Sequence, residues 1–288
     1  MSKSSAIGVH MDAGFSHKEV ELAYGPAVDR LLKLADLNSV TLTFFVLGGH
    51  MKNKTAIKSV KRIIQEGHEV ANHSMHHIEP FGRLSYSEMR EEIKTSHEKI
   101  AEVSGIAPLG FTAPGWSATP KMYRILREEG YQYDASVIPF CMRFFLSYLL
   151  FIDRQKFPYF SWDSSYLKRR GSGPPTIIPF PRAGVLRIPL WHTGAFYLSR
   201  SVHRTLLRDA TKKGGMLYIL HTMDILSPEE ISLKKKGIVS YWRSSRSLNE
   251  KKEILRDTFR LIKTYSERVL KCRDLAAELA SGKSISSI

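Results

Sequence analysis

Apolar positions along the chain fall into short runs that alternate with amphipathic stretches, so the hydrophobic period switches repeatedly between that of a strand and that of a helix. Ile7–Met11 and Thr41–Leu47 read as buried strands, with a helix over Pro26–Leu37 between them. A second helix is predicted over Thr55–Gln65, stopping at Gly67, and a short strand over Glu69–His73. Ser85 followed by Glu88 is a capping-box pattern; it opens a helix that runs to about Ser104, ahead of Gly105. Leu109–Thr112 is the next strand, and the helix Pro120–Glu129 follows, with proline in its first turn and Gly130 past its end. Further strands are predicted at Tyr131–Val137, Arg187–Leu190 and Met216–His221, with a helix from about Ser201 to Lys212. The C-terminal third offers a helix from about Asn249 to Glu267, a short strand Val269–Cys272 and a last helix near Leu275–Ala280. Such alternation specifies a parallel sheet or barrel.

The stretch Ile138–Gly184 breaks the pattern: it is rich in proline, glycine and aromatic residues and has no clean period. A connection that long is expected to be a lid or a substrate wall. It holds the longest apolar run, Phe144–Ile152, which is interrupted by Ser147 and far short of the roughly 20 residues that span a bilayer. The expectation is one domain over residues 1–288, with 138–184 as an irregular insertion. With 43% apolar and 25% charged residues, the composition is that of a globular protein. The excess of 43 Lys and Arg over 28 Asp and Glu, +15, favours an anionic partner. Cys141 and Cys272 are the only cysteines, which excludes a disulfide framework and any Cys-x-x-Cys site. Met1–Ile7 lacks the apolar core of a signal peptide, so the cytoplasm is the expected compartment.

Three predicted strands end in unusual polar residues: Asp12 before Gly14, the run His68–His77, and His221. In parallel α/β architectures the C-terminal ends of strands are where sites assemble. His73 and His77 are four apart, and two imidazoles with one carboxylate are a divalent-metal set that leaves positions for water and substrate. The segment is not a zincin helix, because position 72 is Asn72. A phosphate-binding glycine loop and a Gly-x-Ser-x-Gly elbow are both missing. Against the catalytic reading stand ordinary ones: Asp12 as a turn-former, clustered histidines on a polar loop, and His221 as a satisfied core histidine.

Six motifs, in order, resemble those of the polysaccharide deacetylase (NodB-homology) superfamily. They are Ile7-Gly-Val-His-Met-Asp-Ala-Gly14, Thr43-Phe-Phe-Val-Leu-Gly48, Gly67-His-Glu-Val-Ala-Asn-His-Ser-Met-His-His77, Gly110-Phe-Thr-Ala-Pro-Gly115, Gly130-Tyr-Gln-Tyr-Asp-Ala-Ser136 and Ile219-Leu-His221. The resemblance implies a distorted (β/α)7-type barrel and metal-assisted hydrolysis of an N-acyl or O-acyl sugar. It implies Asp12 as the base, His73 and His77 as metal ligands together with Asp12, and His221 as the general acid. Asn72, Pro114, Gly115, Trp116 and Asp134 would shape the substrate groove, and Trp162, Trp191 and His192 are further candidates. Two positions depart from the pattern: Ala13 stands where the family has its second Asp, and Thr112 where it has an Arg. Three possibilities follow. Asp12 ligates the metal and another group is the base; or Asp12 is the base of a two-ligand site; or the enzyme needs no metal and His73 and His77 hold substrate.

The Ala113-Pro-Gly-Trp116 run further resembles the branch that deformylates a lipid-linked formamido-arabinose, which implies a sugar-lipid substrate. Basic clusters at Lys168–Arg170, Lys212–Lys213, Lys234–Lys236 and Arg243–Arg246 suit peripheral contact with an anionic membrane. No recognised motif supports nucleic acid. The expected cofactor is a divalent metal, zinc, and the rival readings are a catalytically impaired binding relative and an O-acyl esterase.

Overall fold

In the computed structural model, which describes residues 4–137, 175–179, 182–183, 188–189, 195, 198–212, 216–231 and 245–281, strand β1 (Ser4–His10) is the axis of an eight-stranded sheet. On one side follow β2 (Thr43–Val46), β3 (Glu69–Asn72), β4 (Gly110–Phe111), β5 (Tyr133–Val137) and β6 (Thr176–Pro179). β9 (Met216–His221) pairs with the other edge of β1 over its full length. β10 (Arg268–Leu270) shares the first edge with β2, taking Ser4–Ala6 while β2 takes Gly8–His10. Every pairing in this sheet is parallel, and the strands curl into a distorted α/β barrel, as the alternation predicts.

Strand parity decides what faces where. Ile7, Val9 and Met11 point outward and pack beneath α1 (His17–Tyr24), α2 (Pro26–Asn38), α3 (Lys54–Gln65), α6 (Arg200–Lys212) and α7 (Leu248–Tyr265). Phe111 and its neighbours form a second outer layer with α4 (Tyr86–Ser104) and α5 (Pro120–Glu128). Ala6 points inward, where Phe45, Ala71, Tyr133, Ala135, Leu217 and Ile219 fill the barrel. The floor is α8 (Cys272–Ala280), whose Cys272, Leu275, Ala276 and Leu279 pack beneath them. Beside it Glu69 accepts hydrogen bonds from Thr43 Oγ1 (2.8 Å), Tyr133 OH (3.0 Å) and Arg273 N–H (3.2 Å). Burial raises the Glu69 carboxyl pKa, and its bonding is spent on closing the floor.

Space inside is tight. A Cβ on Gly110 would lie 1.8 Å from Cζ of Tyr133, so the glycine is required by close approach. Gly110→Ala is therefore expected to destabilise the protein by about 1–3 kcal/mol, read as a lower denaturant midpoint at an unchanged slope.

Two differences from expectation have physical causes. Residues 138–184 are not irregular throughout: Thr176–Pro179 joins the barrel as β6, and Arg182–Ala183 (β7) pairs antiparallel with β8 (Ile188–Pro189). A four-residue Thr-Ile-Ile-Pro segment among prolines is too short to show a period. The predicted strand at 187–190 is thus present as β8, but in this separate pair rather than in the barrel. Helix α1 was not expected, although Ser16 and Glu19 form the same capping box as Ser85 and Glu88. It buries only Val20, Ala23 and Tyr24, too few to print a helical stripe. Residues 138–174, Trp162 among them, and Trp191 and His192 lie outside the described residues. Among those described, no helix is long and apolar enough to cross a membrane.

Candidate active site

The register that sets His10 beside Phe45 on β2 and beside His221 on β9 brings inward positions to one level at the C-terminal rim of the barrel. His10 is 3% exposed and His221 7%. Asp12 lies two residues past the end of β1, its Oδ2 3.7 Å from His221 Nε2. On its other side the His221 ring has Nδ1 3.6 Å from Oδ2 of Asp224, a fully buried carboxylate that also accepts the His221 backbone N–H at 2.8 Å. His73 and His77 come from the loop after β3, with ring centroids 5.0 Å apart. The His10 ring lies 4.6 Å from His73 and 5.2 Å from His221, and Trp116 lies 5.8 Å from His10 and 6.1 Å from His221.

The histidine loop turns through left-handed conformations at Ser74 (φ 74°) and His77 (φ 53°), which side chains other than glycine adopt only when held. Helix α4 does the holding. Glu92 accepts the backbone N–H groups of Met75 (3.2 Å) and His76 (2.9 Å) and pairs with His76 Nδ1 at 2.6 Å. The Ser96 hydroxyl lies 2.6 Å from Asn72 Oδ1 and 2.9 Å from the Ser74 carbonyl.

His73 Nδ1 lies 2.8 Å from the carbonyl of Thr112, and a carbonyl only accepts, so the proton sits on Nδ1 and the lone pair on Nε2. Burial, with the neighbouring imidazoles of His10 and His77, holds His73 well below the usual histidine pKa. His10 is held down in the same way, by burial and then by His221 and His77. Both rings are therefore neutral at neutral pH. Among the described residues, His10 Nε2 and His73 Nε2 are buried and have no hydrogen-bond partner.

A divalent cation fits this donor chemistry: neutral imidazoles, one with its second nitrogen fixed on a carbonyl as metal-ligating histidines are fixed, and a carboxylate nearby. The placement is open, however. Among the described residues no three His, Cys, Asp or Glu side chains are grouped closely enough to hold an ion in common. His73 and His77 lie together, and Asp12 lies against His221.

Of the expected groove residues, Trp116 and Gly115 are half-buried at the site. Asn72 and Asp134 are corrected. Both are completely buried. Asn72 donates to the Ile93 carbonyl (3.0 Å) and to Tyr131 OH (2.6 Å), and its Oδ1 accepts from Ser74 N–H and faces Ser96. Asp134 faces outward and accepts from Tyr123 OH (2.8 Å) and Ser136 Oγ (2.5 Å). These two build the scaffold and offer nothing to a substrate; Pro114 is likewise buried. Thr112, where the family pattern has Arg, ties β4 to β5 through Oγ1 and the Ala135 carbonyl at 3.2 Å.

Motif reading overlooked His10, although parity could have found it: with Ile7, Val9 and Met11 outward, residue 10 must face in. It also overlooked Asp224 and His50. The latter is 1% exposed, with Nδ1 3.3 Å from Tyr24 OH and its ring 4.7 Å from that of Phe15, and burial lowers its pKa to about 4.

Residues 16–133 match the family model of polysaccharide deacetylase. A peptidoglycan deacetylase from Helicobacter pylori is 31% identical over 111 residues, 38% of this chain and 37% of that protein. A chitooligosaccharide deacetylase from Rhizobium leguminosarum bv. trifolii is 34% identical over 94 residues, 31% of this chain and 42% of that protein. The chain spans about two fifths of the length of the curated relatives it matches. Among solved structures it superposes on a Mycobacterium smegmatis protein assigned provisionally to the polysaccharide deacetylases, with a TM-score of 0.57 at 17% identity, over 99% of this chain and 94% of that one. A CE4 family pseudoenzyme from Bacillus anthracis matches with a TM-score of 0.52 at 14% identity, over 96% of this chain and 66% of that one. The barrel is that of the polysaccharide deacetylases. The matching segment, which carries His73 and His77, supports membership of that family.

Proposed function

We propose that the protein is a carbon–nitrogen hydrolase that removes the acetyl group from an N-acetylated sugar polymer. The observation that carries this reading is one cluster of side chains at the C-terminal rim of the barrel, to which three separate strand ends supply Asp12, His73 with His77, and His221. The matches to deacetylases of peptidoglycan and chitooligosaccharides point to the same substrate class.

Water adds to the carbonyl carbon of the acetamido group and the carbon–nitrogen bond breaks, leaving acetate and the free amine. His221 delivers a proton to the departing nitrogen. Its Nε2 has Asp12 at 3.7 Å and its Nδ1 has Asp224 at 3.6 Å, so the ring is held between two carboxylates. The half-buried Trp116 ring, beside His10 and His221, provides a stacking wall for a sugar face. His73, His77 and Asp12 are the residues that would hold a divalent cation, zinc in this proposal. When bound, such an ion polarises a carbonyl and lowers the pKa of water.

The test is release of acetate from N-acetylglucosamine oligomers by the native protein, with Asp12→Asn beside it. Acetate from the native protein and a loss of about 10²-fold or more in the variant are expected. A lipid-linked formamido sugar and an acetylated xylan are further arms, and formate or acetate released from one of them alone moves the assignment to a deformylase or an O-acyl esterase. Elemental analysis belongs to the same experiment: zinc bound near one per chain, lost in His73→Ala, is expected. Activity that survives chelation removes the metal from the proposal.

Ala13 and Thr112 favour a second reading, a catalytically silent carbohydrate-binding relative. It predicts no acetate or formate from any arm, with sugar binding intact in Asp12→Asn.

A further inference from the structure

We infer that Phe15 is a stacking platform for a second sugar of the polymer and gives the protein a preference for oligomers over single sugars. The inference rests on the hydrolase reading above and adds a subsite for the sugar next to the one that reacts. Among the described residues five large apolar side chains are strongly exposed, and two of them stand on the rim of the candidate site. They are Phe15 (43%), three residues past Asp12, and Ile78 (39%), directly after His77. Of the others, Leu37 and Ile106 lie where α2 and α4 hand the chain to the start of the next strand, at the opposite end of the barrel. Val202 lies on the outer helix α6.

The Phe15 ring has a built seat. It lies 4.7 Å from the ring of His50 and 6.0 Å from that of His76, and His50 in turn meets Tyr24 edge-on at 5.4 Å. His50 and Tyr24 are buried, so the stack is anchored in the packed layer and only its outer member meets water. Gly49 makes the room: a Cβ there would lie 2.8 Å from Cε1 of Phe15 and 2.6 Å from the Met75 carbonyl. That carbonyl accepts the Gly49 N–H at 3.0 Å, which ties the seat to the histidine loop. Ser16, the next residue, caps α1 and fixes the backbone on the other side.

The position suits a polymer. Gly49 and His50 follow β2, the histidine loop follows β3, and Trp116 follows β4, so in sheet order Phe15 and Trp116 flank the histidines. Scattered apolar residues on a surface carry little meaning, but a rigidly seated aromatic ring on the lip of a site marks a ligand contact. Phenylalanine has no donor or acceptor and can offer only its ring. The C–H face of a pyranose fits such a ring, and any sugar of a chain can supply one. A sugar held there lies beside His76, one position from His77, and the next sugar of the chain falls to the cluster of Asp12, His73 and His221.

The experiment measures acetate release by the native protein, Phe15→Leu and Phe15→Tyr from N-acetylglucosamine and from its tetramer. Leucine keeps apolar bulk on Gly49 without a ring; tyrosine keeps the ring. Expected in Phe15→Leu is a rise in KM of about 5- to 20-fold on the tetramer, with kcat within about threefold of native. On the single sugar the three proteins should agree within about twofold, and Phe15→Tyr should stay near native on both. A native KM for the tetramer in Phe15→Leu would overturn the proposal. An equal loss on the single sugar would also overturn it, since the ring would then act on the whole site. Calorimetric titration with the tetramer runs beside these assays and needs no turnover. A native protein that releases no acetate fails the hydrolase reading, and tetramer binding weakened about fivefold or more in Phe15→Leu alone would still support the platform. Equal or absent binding would overturn it.

Discussion

Replacing His221 by alanine is expected to lower acetate release by about 10²- to 10⁴-fold while the protein stays folded. The residue closes strand β9, so its side chain begins where the packed barrel ends. Below it Ile219 fills the interior, and Leu220 fills the outer layer. Removing the ring therefore takes a side chain from the rim and leaves the packed layers below it intact. The loss should fall on kcat, because the proton it supplies is needed only as the carbon–nitrogen bond breaks, and KM should move little. Asp12→Asn weakens the same ring from outside, and the two losses should combine to less than their product, as expected for residues that act as a unit. A His221→Ala protein with native turnover would remove the general acid from the scheme.

Acid sensitivity of the fold is the second large effect. His50 has a pKa of about 4 in the folded chain against an ordinary 6.5, because burial penalises its charged form. Its contribution is present in full above pH 6.5, falls away as the pH drops through the interval, and is gone below about 4. Between pH 7.5 and 5 the unfolded chain takes up a proton that the folded chain refuses, at a cost of about 2 kcal/mol. His10 and His73 are shifted in the same direction by burial and add to the loss. Glu69, whose carboxyl is raised by burial, opposes it. Glu230, lowered to about 2 by two hydrogen bonds from Arg30 (2.7 and 2.8 Å), acts only at lower pH. Denaturant midpoints of metal-free protein at pH 7.5 and 5 measure the difference, and His50→Gln should flatten it. Equal stability at the two values would contradict the buried, neutral imidazole.

The alternation of periods revealed the parallel sheet because most of its strands are long enough to show their pattern, or are bounded by helices that do. β6 escaped because four residues among prolines have no period to show. The strand-end logic selected Asp12, His73, His77 and His221 as candidates, since a charged or ionisable residue directly after an apolar run stands out. It misjudged Asn72 and Asp134, because a motif says that a polar residue is needed and not whether substrate or scaffold uses it. Only the hydrogen bonds to Ile93, Tyr131, Ser74 and Tyr123 show that the scaffold does. His10 failed differently. Its inward direction is legible in the alternation of Ile7, Val9 and Met11, but its unpaired nitrogen is a property of tertiary contacts alone.

The divided edge of β1 has a consequence for how the molecule comes into being. β1 waits for β10: one edge of Ser4–Ala6 stays unpaired until Arg268–Leu270 arrive, and the helix that seats the floor follows immediately after. Closure is thereby tied to the most distant contacts in the chain, the kind that slow folding and leave apolar surface waiting during synthesis. A ribosome stalled before residue 268 would hold a curled sheet whose interior stands open to water.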